Sequence, residues 1–255
     1  MAEATYILSI AGLDPCGGAG LLADIKTFEN IGIYGFGVCS AITFQNEDRV
    51  AGLIWIQPDD IIRQLDVLFE KYTISFIKIG IIENLPTLFL LINHILRKNP
   101  QSKIIWDTIL QSSSGYVFQE TVEKNILHDI LINIYLITPN LPESEILFAT
   151  LGITDVSSLS SAISQNAYSA FLIKGGHAED NIIVDTLYTA DNCYAIFGKK
   201  YPGYNKHGSG CILSAAITAY LASGFTLFAA CKKAKEYIEQ YMLSSKTRLG
   251  RHNTL

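Results

Sequence analysis

The sequence lacks the features that mark several classes of protein. Its 255 residues include five cysteines, but these are scattered and form no CxxC pair, so neither a zinc site nor a disulfide framework is indicated. No run of about 18 uncharged apolar residues is present, as a membrane-spanning helix would need. The first residues lack the basic region and the long apolar run of a signal peptide. We therefore expect a cytoplasmic protein with reduced thiols and no membrane partner.

Basic residues are also in deficit. The formal net charge of −5 argues against a nucleic-acid partner, because nucleic acid binds to a basic face. An anionic small molecule is still compatible with this charge, because a helix N-terminus can hold phosphate on an acidic protein. No Pro/Gly/Ser-rich linker, internal repeat or low-complexity segment divides the chain. Since 49% of the residues are hydrophobic, we predict one domain, residues 1–255, with a large core.

Short apolar runs alternate with helical patterns along the chain. The runs are rich in Ile, Leu, Phe and Tyr, which is typical of strands buried on both faces of a parallel sheet. They begin at Tyr6, Ser75, Lys103, Ile134 and Ala170. Residues 58–72, 85–99 and 226–243 have helical patterns. The alternation predicts an α/β fold, a three-layer, open and mostly parallel sheet with helices on both faces. Residues 182–201 predict a small antiparallel hairpin at the sheet edge.

Several polar residues and glycines stand where predicted strands end. Open α/β sheets bind ligands beyond the carboxyl ends of their strands, so residues at these ends should gather along one edge. They are Asp14, Gly80, Asp107, Asn140 and Lys174.

The stretch NKHGSGCILSAA, residues 205–216, places two glycines and a cysteine at the start of an apolar helical pattern. Free backbone N–H groups at a helix start, brought close by glycine, can bind an anion and stabilise a transferring phosphoryl group. An ordinary glycine-rich helix entry would look similar. At a helix N-terminus, Cys211 is expected to have a lowered pKa.

Three weaker signals accompany this stretch. The glycine cluster of residues 12–20 matches neither a P-loop nor GxGxxG, although it would let a ligand approach the backbone. Lys174 ends a strand and could reach phosphate oxygens, but a surface lysine before a turn is the alternative. Glu143 could hold magnesium, directly or through water, or complement a helix start after Pro142, and both readings are compatible.

Taken together, these segments resemble the hydroxymethylpyrimidine/phosphomethylpyrimidine kinases of thiamine biosynthesis, members of the ribokinase-like superfamily. The resemblance covers essentially the whole chain, in order. It is carried by the segments SIAGLDPCGGAGLLADIKTFENIG, AITFQN, IKIGI, WDTILQSSSG, ITPNLPESEIL, LIKGGH and NKHGSGCILSAA. The sequence departs from the family pattern at Pro15-Cys16, where small polar and glycine residues are usual, and at Thr108, Ile81 and Lys206, which replace proline, methionine and threonine.

The resemblance implies a role for each matched residue. Gln45 would read the aminopyrimidine edge through paired amide hydrogen bonds. The residues implied to line the same substrate pocket are Gly12, Asp24 and Ile81. Lys174 would contact the nucleotide phosphates. Magnesium would be organised by Asn140 and Glu143, with Asp107 close to the metal and phosphates. The anion hole would consist of Gly208, Ser209 and Gly210, with Cys211 in the position of the catalytic base.

The implied reaction is two successive ATP-dependent, magnesium-assisted phosphorylations, first of 4-amino-5-hydroxymethyl-2-methylpyrimidine and then of its monophosphate. A pyridoxine or pyridoxal kinase on the same scaffold is the nearest alternative, and a non-catalytic vitamin-precursor binder is another. A further reading makes Cys211 a covalent nucleophile assisted by His207, which geometry must decide. The family often forms dimers, so we expect a homodimer, in which the 182–201 hairpin is a candidate contact.

Overall fold

The computed structural model describes residues 5–110, 122–175 and 182–252. Over these residues the strands form one nine-stranded sheet with the spatial order β3-β2-β1-β4-β5-β6-β7-β8-β9. The strands are β1 (Tyr6–Leu13), β2 (Tyr34–Gln45), β3 (Val50–Trp55), β4 (Ile74–Ile79), β5 (Lys103–Trp106), β6 (Leu136–Ile137), β7 (Ala170–Ile173), β8 (Ile182–Tyr188) and β9 (Cys193–Lys199). The five pairings from β2 through β7 are parallel, and β3, β8 and β9 pair antiparallel with their neighbours. The predicted open, mostly parallel sheet is confirmed.

Helices cover both faces of the sheet. They are α1 (Gly20–Ile31), α2 (Pro58–Phe69), α3 (Leu85–Lys98), α4 (Lys124–Leu131), α5 (Leu141–Leu151), α6 (Leu159–Asn166), α7 (Ser209–Ala222) and α8 (Leu227–Leu243). Helices α2 to α6 pack on one face, and α1, α7 and α8 pack on the other. Consecutive strand residues divide between the two cores, as Ile104 and Ile105 do in β5. This alternation explains why the strands read as continuous apolar runs.

The two edges of the sheet differ in how well the sequence predicts them. The hairpin of β8 and β9 lies at one edge, as the 182–201 pattern predicts. The other edge, formed by β2 and β3, has no counterpart among the predicted strands. Residues Gly35, Gly37 and Gly52 weaken the strand pattern there, since glycine is depleted in strands.

Hydrogen bonds continue the parallel ladder just beyond the strand ends. The N–H of Gly80 donates to Ile10 O at 2.8 Å, that of Asp107 to Ile79 O at 2.9 Å, and that of Lys174 to Pro139 O at 2.8 Å. These bonds hold the polar residues that follow neighbouring strands along one edge of the sheet.

In the part of the chain that the structure describes, no single helix is long and apolar enough to cross a membrane. The segments Leu141–Leu151 and Val156–Asn166 reach that length and composition only as a pair, with a bend of 70° between them.

Candidate active site

A cavity of about 280 Å³ opens beyond the carboxyl ends of the parallel strands. Its wall includes Gly80 after β4, Asp107 after β5, Asn140 after β6 and Lys174 after β7. The strand-end rule therefore gave the correct location for these four residues. Asp14, which follows β1, reaches the cavity through its contact with His207, which lines it.

The N-terminus of α7 forms one wall of the cavity. Gly208 precedes the helix with a φ of +74°, and Ser209, Gly210 and Cys211 of the first turn line the cavity. A Cβ atom on Gly208 would overlap the carbonyl oxygen of Gly18 and approach the Cα of Ala19 to 2.7 Å. The two glycine-rich segments are thus packed backbone against backbone, which only glycine permits at this φ. The first-turn N–H groups of α7 lie at the cavity, where the sequence predicts donors for an anion.

Cys211 lies at this wall with 8% of its surface exposed. Burial raises the pKa of its thiol to about 11, Lys78 opposes that rise, and the carboxylates of Asp107 and Asp24 add to it. The expectation that a helix N-terminus lowers the pKa of Cys211 is therefore wrong. Loss of hydration, with a smaller contribution from two nearby carboxylates, disfavours the thiolate, so the group is a neutral thiol at pH 7.

Lys78 is a cavity residue that the sequence analysis missed. Its side chain is fully buried in β4, and its Nζ donates to Asp24 Oδ2 at 2.7 Å. Burial alone would lower the pKa of Lys78, but the charge of Asp24 and weaker contributions of Cys211 and Asp107 raise it. Lys78 is therefore a permanent buried cation beside Cys211. A lysine inside an otherwise apolar strand, as in ISFIKIG, is the signal that could have identified it.

Asp24 does not line the cavity. It lies on α1 behind Lys78, and its Oδ2 also accepts a 2.6 Å hydrogen bond from Ser9 Oγ. Burial raises the pKa of Asp24 to about 6, against the opposing effect of Lys78. The structure thus gives Asp24 contact with Lys78 where the family resemblance implies contact with substrate.

Lys174 and Asp107 form an ion pair inside the cavity, with 3.2 Å between Nζ and Oδ1. Asp107 also accepts hydrogen bonds from Thr138 Oγ1 and Ser214 Oγ, both at 3.0 Å. Burial favours the neutral form of Asp107, but the charges of Lys174 and Lys78 hold the pKa of its carboxyl below the usual value. The Lys174 ammonium lies 3.5 Å from the position of a Cβ on Gly210. Lys174 is therefore beside the first turn of α7, inside the cavity and not on the surface.

Asn140 and Glu143 form a capping box at the start of α5. Asn140 Oδ1 accepts from the N–H of Glu143 at 2.9 Å, and Glu143 Oε2 accepts from the N–H of Asn140 at 2.8 Å. The helix-start reading of these residues is confirmed. Both also line the cavity, and burial raises the pKa of the Glu143 carboxyl. Glu143 and Asp107 thus present two buried carboxylates to the same space, a donor set that suits magnesium.

A second part of the cavity is lined by Gly12, Thr43, Gln45 and Ile81. A Cβ on Gly12 would meet the side chain of Ile81 and approach Thr43 Cγ2 to 3.5 Å, so glycine is what lets Ile81 pack against this part of the wall. Gln45 ends β2 at the rim, with an amide that can both donate and accept hydrogen bonds. The predicted substrate residues Gly12, Gln45 and Ile81 are therefore brought together.

His207 packs against the first glycine segment. Its Nε2 lies 3.0 Å from Asp14 Oδ2, and its Cδ2 is 2.8 Å from the position of a Cβ on Gly18. Burial opposes ionisation of Asp14, but hydrogen bonds from His207 and Cys16 lower the pKa of its carboxyl to about 2. This arrangement directs the His207 imidazole towards Asp14, so it does not support His207 as a base that activates Cys211.

Two quoted sequence segments fall partly outside the described residues. They are the end of WDTILQSSSG, residues 111–115, and the end of LIKGGH, residues 176–177.

Comparisons with known proteins agree on one family. The sequence model of a family described as phosphomethylpyrimidine kinase matches residues 14–255. A hydroxymethylpyrimidine/phosphomethylpyrimidine kinase of Aquifex aeolicus is 36% identical over 247 residues, 96% of each chain. The crystal structure of a phosphomethylpyrimidine kinase from Clostridium difficile 630 superposes with a TM-score of 0.75 and 31% identity, over 92% of this chain and 98% of that one. A pyridoxal kinase from Staphylococcus aureus in complex with ADP has a TM-score of 0.82 at 22% identity, over 99% and 95% of the two chains, and shows the shared fold.

Proposed function

The chain belongs to the phosphomethylpyrimidine kinase family, and we propose that it transfers phosphate from ATP to 4-amino-5-hydroxymethyl-2-methylpyrimidine and then to the monophosphate, in thiamine biosynthesis. The observation that carries the proposal is the single cavity in which the first turn of α7 and Lys174 lie beside the Gly12, Gln45 and Ile81 surface. One part suits phosphate and the other suits a flat ring with an amide edge. We also propose that residues 1–255 form one domain and that the protein is a cytoplasmic homodimer.

In each transfer, an acceptor oxygen forms a bond to the γ-phosphorus of ATP as the bond to the leaving ADP oxygen breaks, and in the first transfer the proton of the acceptor hydroxyl is released to solvent. The N–H groups of Gly208, Ser209 and Gly210 and the ammonium of Lys174 would stabilise the negative charge on the phosphoryl oxygens. Because burial raises the pKa of Cys211 to about 11, its thiol is protonated at pH 7 and cannot accept the acceptor proton. We therefore assign Cys211 the role of hydrogen-bond partner that orients the acceptor oxygen.

Magnesium fits the residues present. Asp107 and Glu143 supply buried carboxylate oxygens at the end of the cavity that Lys174 shares. Burial raises the pKa of the Glu143 carboxyl against the opposing charge of Lys174, and a divalent cation would favour the ionised form further. We propose that these two residues hold the ion, directly or through water, with Asn140 fixing the position of Glu143. The ion would neutralise phosphate charge.

The test is ATP consumption by the purified protein with the hydroxymethylpyrimidine, its monophosphate or pyridoxal as acceptor. We expect turnover of both pyrimidines and a lower kcat/KM for pyridoxal. A preference for pyridoxal would assign the protein to pyridoxal phosphorylation, and binding without turnover would make it a non-catalytic binder. Either result would overturn the proposal.

Two lysine variants separate the site from general charge effects. Lys174→Met should lower kcat by about 100-fold or more, because it removes a fixed positive charge from the transferring phosphoryl group. Lys98→Met is the matched control, since Lys98 is 39% exposed and pairs with Asp66 on the outer helices. Equal rates for the two variants would contradict the role of Lys174.

A further inference from the structure

Three side chains with different metal-binding atoms meet between the two glycine segments. Asp14 and Cys16 lie in the loop after β1, and His207 lies just before α7. Asp14 Oδ2 is 3.2 Å from Cys16 Sγ and 3.0 Å from His207 Nε2. All three atoms lie within 4.8 Å of one another. The sequence indicated no zinc site because it contains no CxxC pair. That criterion does not detect a set in which His207 lies at least 191 positions after the other two residues.

The distances are close to those of a tetrahedral zinc site. Zinc bonds of about 2.3 Å to sulfur and about 2.0–2.2 Å to nitrogen and oxygen put neighbouring ligand atoms about 3.3–3.7 Å apart. Two of the three separations, 3.2 Å from Asp14 Oδ2 to Cys16 Sγ and 3.0 Å from Asp14 Oδ2 to His207 Nε2, are about 0.3–0.5 Å shorter than the tetrahedral values for those atom pairs. The third, between Cys16 Sγ and His207 Nε2, is at most 4.8 Å and needs a contraction of up to about 1 Å.

Two backbone N–H groups also fix the orientation of the Asp14 carboxylate. Its Oδ1 accepts the N–H of Cys16 at 3.0 Å, and its Oδ2 accepts the N–H of Ala19 at 2.9 Å. Hydrogen bonds of this kind from the backbone fix ligating carboxylates in metal sites. Asp14 and His207 are buried and Cys16 is partly exposed, so an ion could enter from the side of the thiol.

We propose that Asp14, Cys16 and His207 bind a divalent transition-metal ion of the zinc class, and that the bound ion inhibits phosphoryl transfer. On binding, the Cys16 thiol releases its proton to solvent. The proton that His207 Nε2 donates to Asp14 is replaced by the ion, and His207 keeps one proton, on Nδ1, through exchange with solvent. Water completes the four ligands. Thiolate and imidazole select zinc, cobalt or cadmium over magnesium, so this site is separate from the one at Asp107 and Glu143.

Inhibition follows from where the ligands lie, and this part rests on the proposed kinase activity. His207 is bonded directly to Gly208, whose backbone packs against Gly18. Drawing His207 towards Cys16 by up to about 1 Å shifts the N–H groups that bind the transferring phosphate. A displacement of that size can cost about 100-fold in rate.

The binding test uses Co²⁺ with the metal-free protein and no nucleotide. We expect one equivalent to bind with a thiolate-to-cobalt charge-transfer band and the intense visible bands of a tetrahedral site. Cys16→Ser keeps a hydrogen-bond donor to Asp14 and should weaken binding by at least about 100-fold and abolish the charge-transfer band, since even indirect partners of metal ligands change affinity by 10–100-fold. Cys193→Ser, which removes an exposed thiol on β9, should leave the spectrum unchanged.

The binding proposal is overturned if the wild-type protein gives no charge-transfer band, or if Cys16→Ser leaves the band intact. Inhibition is then measured with buffered free Zn²⁺ and excess Mg-ATP, each protein being compared with its own zinc-free rate. We expect a fall of about 10–100-fold in wild type and in Cys193→Ser, reversed by chelator, and little change in Cys16→Ser. Zinc binding without inhibition would refute the inhibitory role. Because the spectra need no substrate, they test the metal site even if the kinase assignment fails.

Discussion

Gly208→Ala is the sharpest test of the anion-binding turn. Gly208 has a φ of +74°, a conformation that costs an alanine about 1–2 kcal/mol. The new Cβ would also overlap the carbonyl oxygen of Gly18, so one of the two glycine segments must move. Alanine keeps its backbone N–H, so the loss of rate would come from displacement of the turn, and a displacement of about 1 Å can cost about 100-fold. We therefore expect kcat to fall by about 100-fold or more and the free energy of unfolding to fall by more than about 2 kcal/mol.

Gly224→Ala provides the matched control at the other end of the same helix. Gly224 has a φ of +89°, and nothing lies within 4 Å of the position of its Cβ. This variant should therefore lose about 1–2 kcal/mol of stability from backbone strain alone and keep its kcat. Urea unfolding followed by tryptophan fluorescence gives the stabilities, and ATP consumption at saturating substrate gives kcat. If Gly208→Ala lowers kcat no more than Gly224→Ala does, the turn before α7 is not the phosphoryl-binding element.

Three further predictions follow from the buried groups around the cavity. Because burial raises the pKa of Cys211 to about 11, kcat should change less than about threefold between pH 7 and 9. A thiolate base would instead give a rise of about tenfold per pH unit, and a kcat–pH profile distinguishes the two. Lys78→Met should lower the free energy of unfolding by about 3–5 kcal/mol, because it leaves Asp24 buried without its charged partner. In urea titrations, adding Asp24→Asn should recover part of that loss. Equal stability of the single and double variants would contradict the pairing. Glu143→Gln should preserve α5, because glutamine also completes a capping box. It should raise the Mg²⁺ concentration that gives the half-maximal rate by about tenfold. An unchanged magnesium titration would show that Glu143 is not part of the metal site.

Much of the fold could be predicted from the sequence because the buried parallel strands are apolar on both faces. The runs at Tyr6, Ser75, Lys103, Ile134 and Ala170 all contain or adjoin strands. The β2–β3 edge could not be predicted in the same way, because its strands are partly exposed and interrupted by glycine. Gly35 is required there by the Phe28 ring, whose Cγ and Cβ would both lie 3.1 Å from a Cβ at that position. That reason is a tertiary contact and has no local signature.

The candidate site likewise has features that the sequence predicts and features that it does not. Residues that follow strands, such as Asp107 and Lys174, could be located because topology alone brings strand ends together. The environments of those residues could not be predicted from the sequence. The pairing of Lys78 with Asp24 joins residues 54 positions apart, and the thiol pKa of Cys211 depends on burial that no local pattern reveals. The motif located the thiol correctly, while the inferred ionisation was wrong because it considered the helix terminus without the burial of the thiol and the surrounding carboxylates.

Those carboxylates bear on how an acidic protein binds ATP. Near Cys211, the buried ammoniums of Lys78 and Lys174 are already paired with Asp24 and Asp107, so neither is a free cation for an incoming phosphate. Glu143 adds a third buried carboxylate, which leaves the cluster one negative charge in excess. A nucleotide entering alone would meet that excess, whereas a nucleotide that arrives with a divalent cation would compensate it. Within the described residues, no carboxylate pairs with the first-turn N–H groups of α7, so these groups and the metal ion should supply attraction for the transferring phosphoryl group that the paired lysines alone do not.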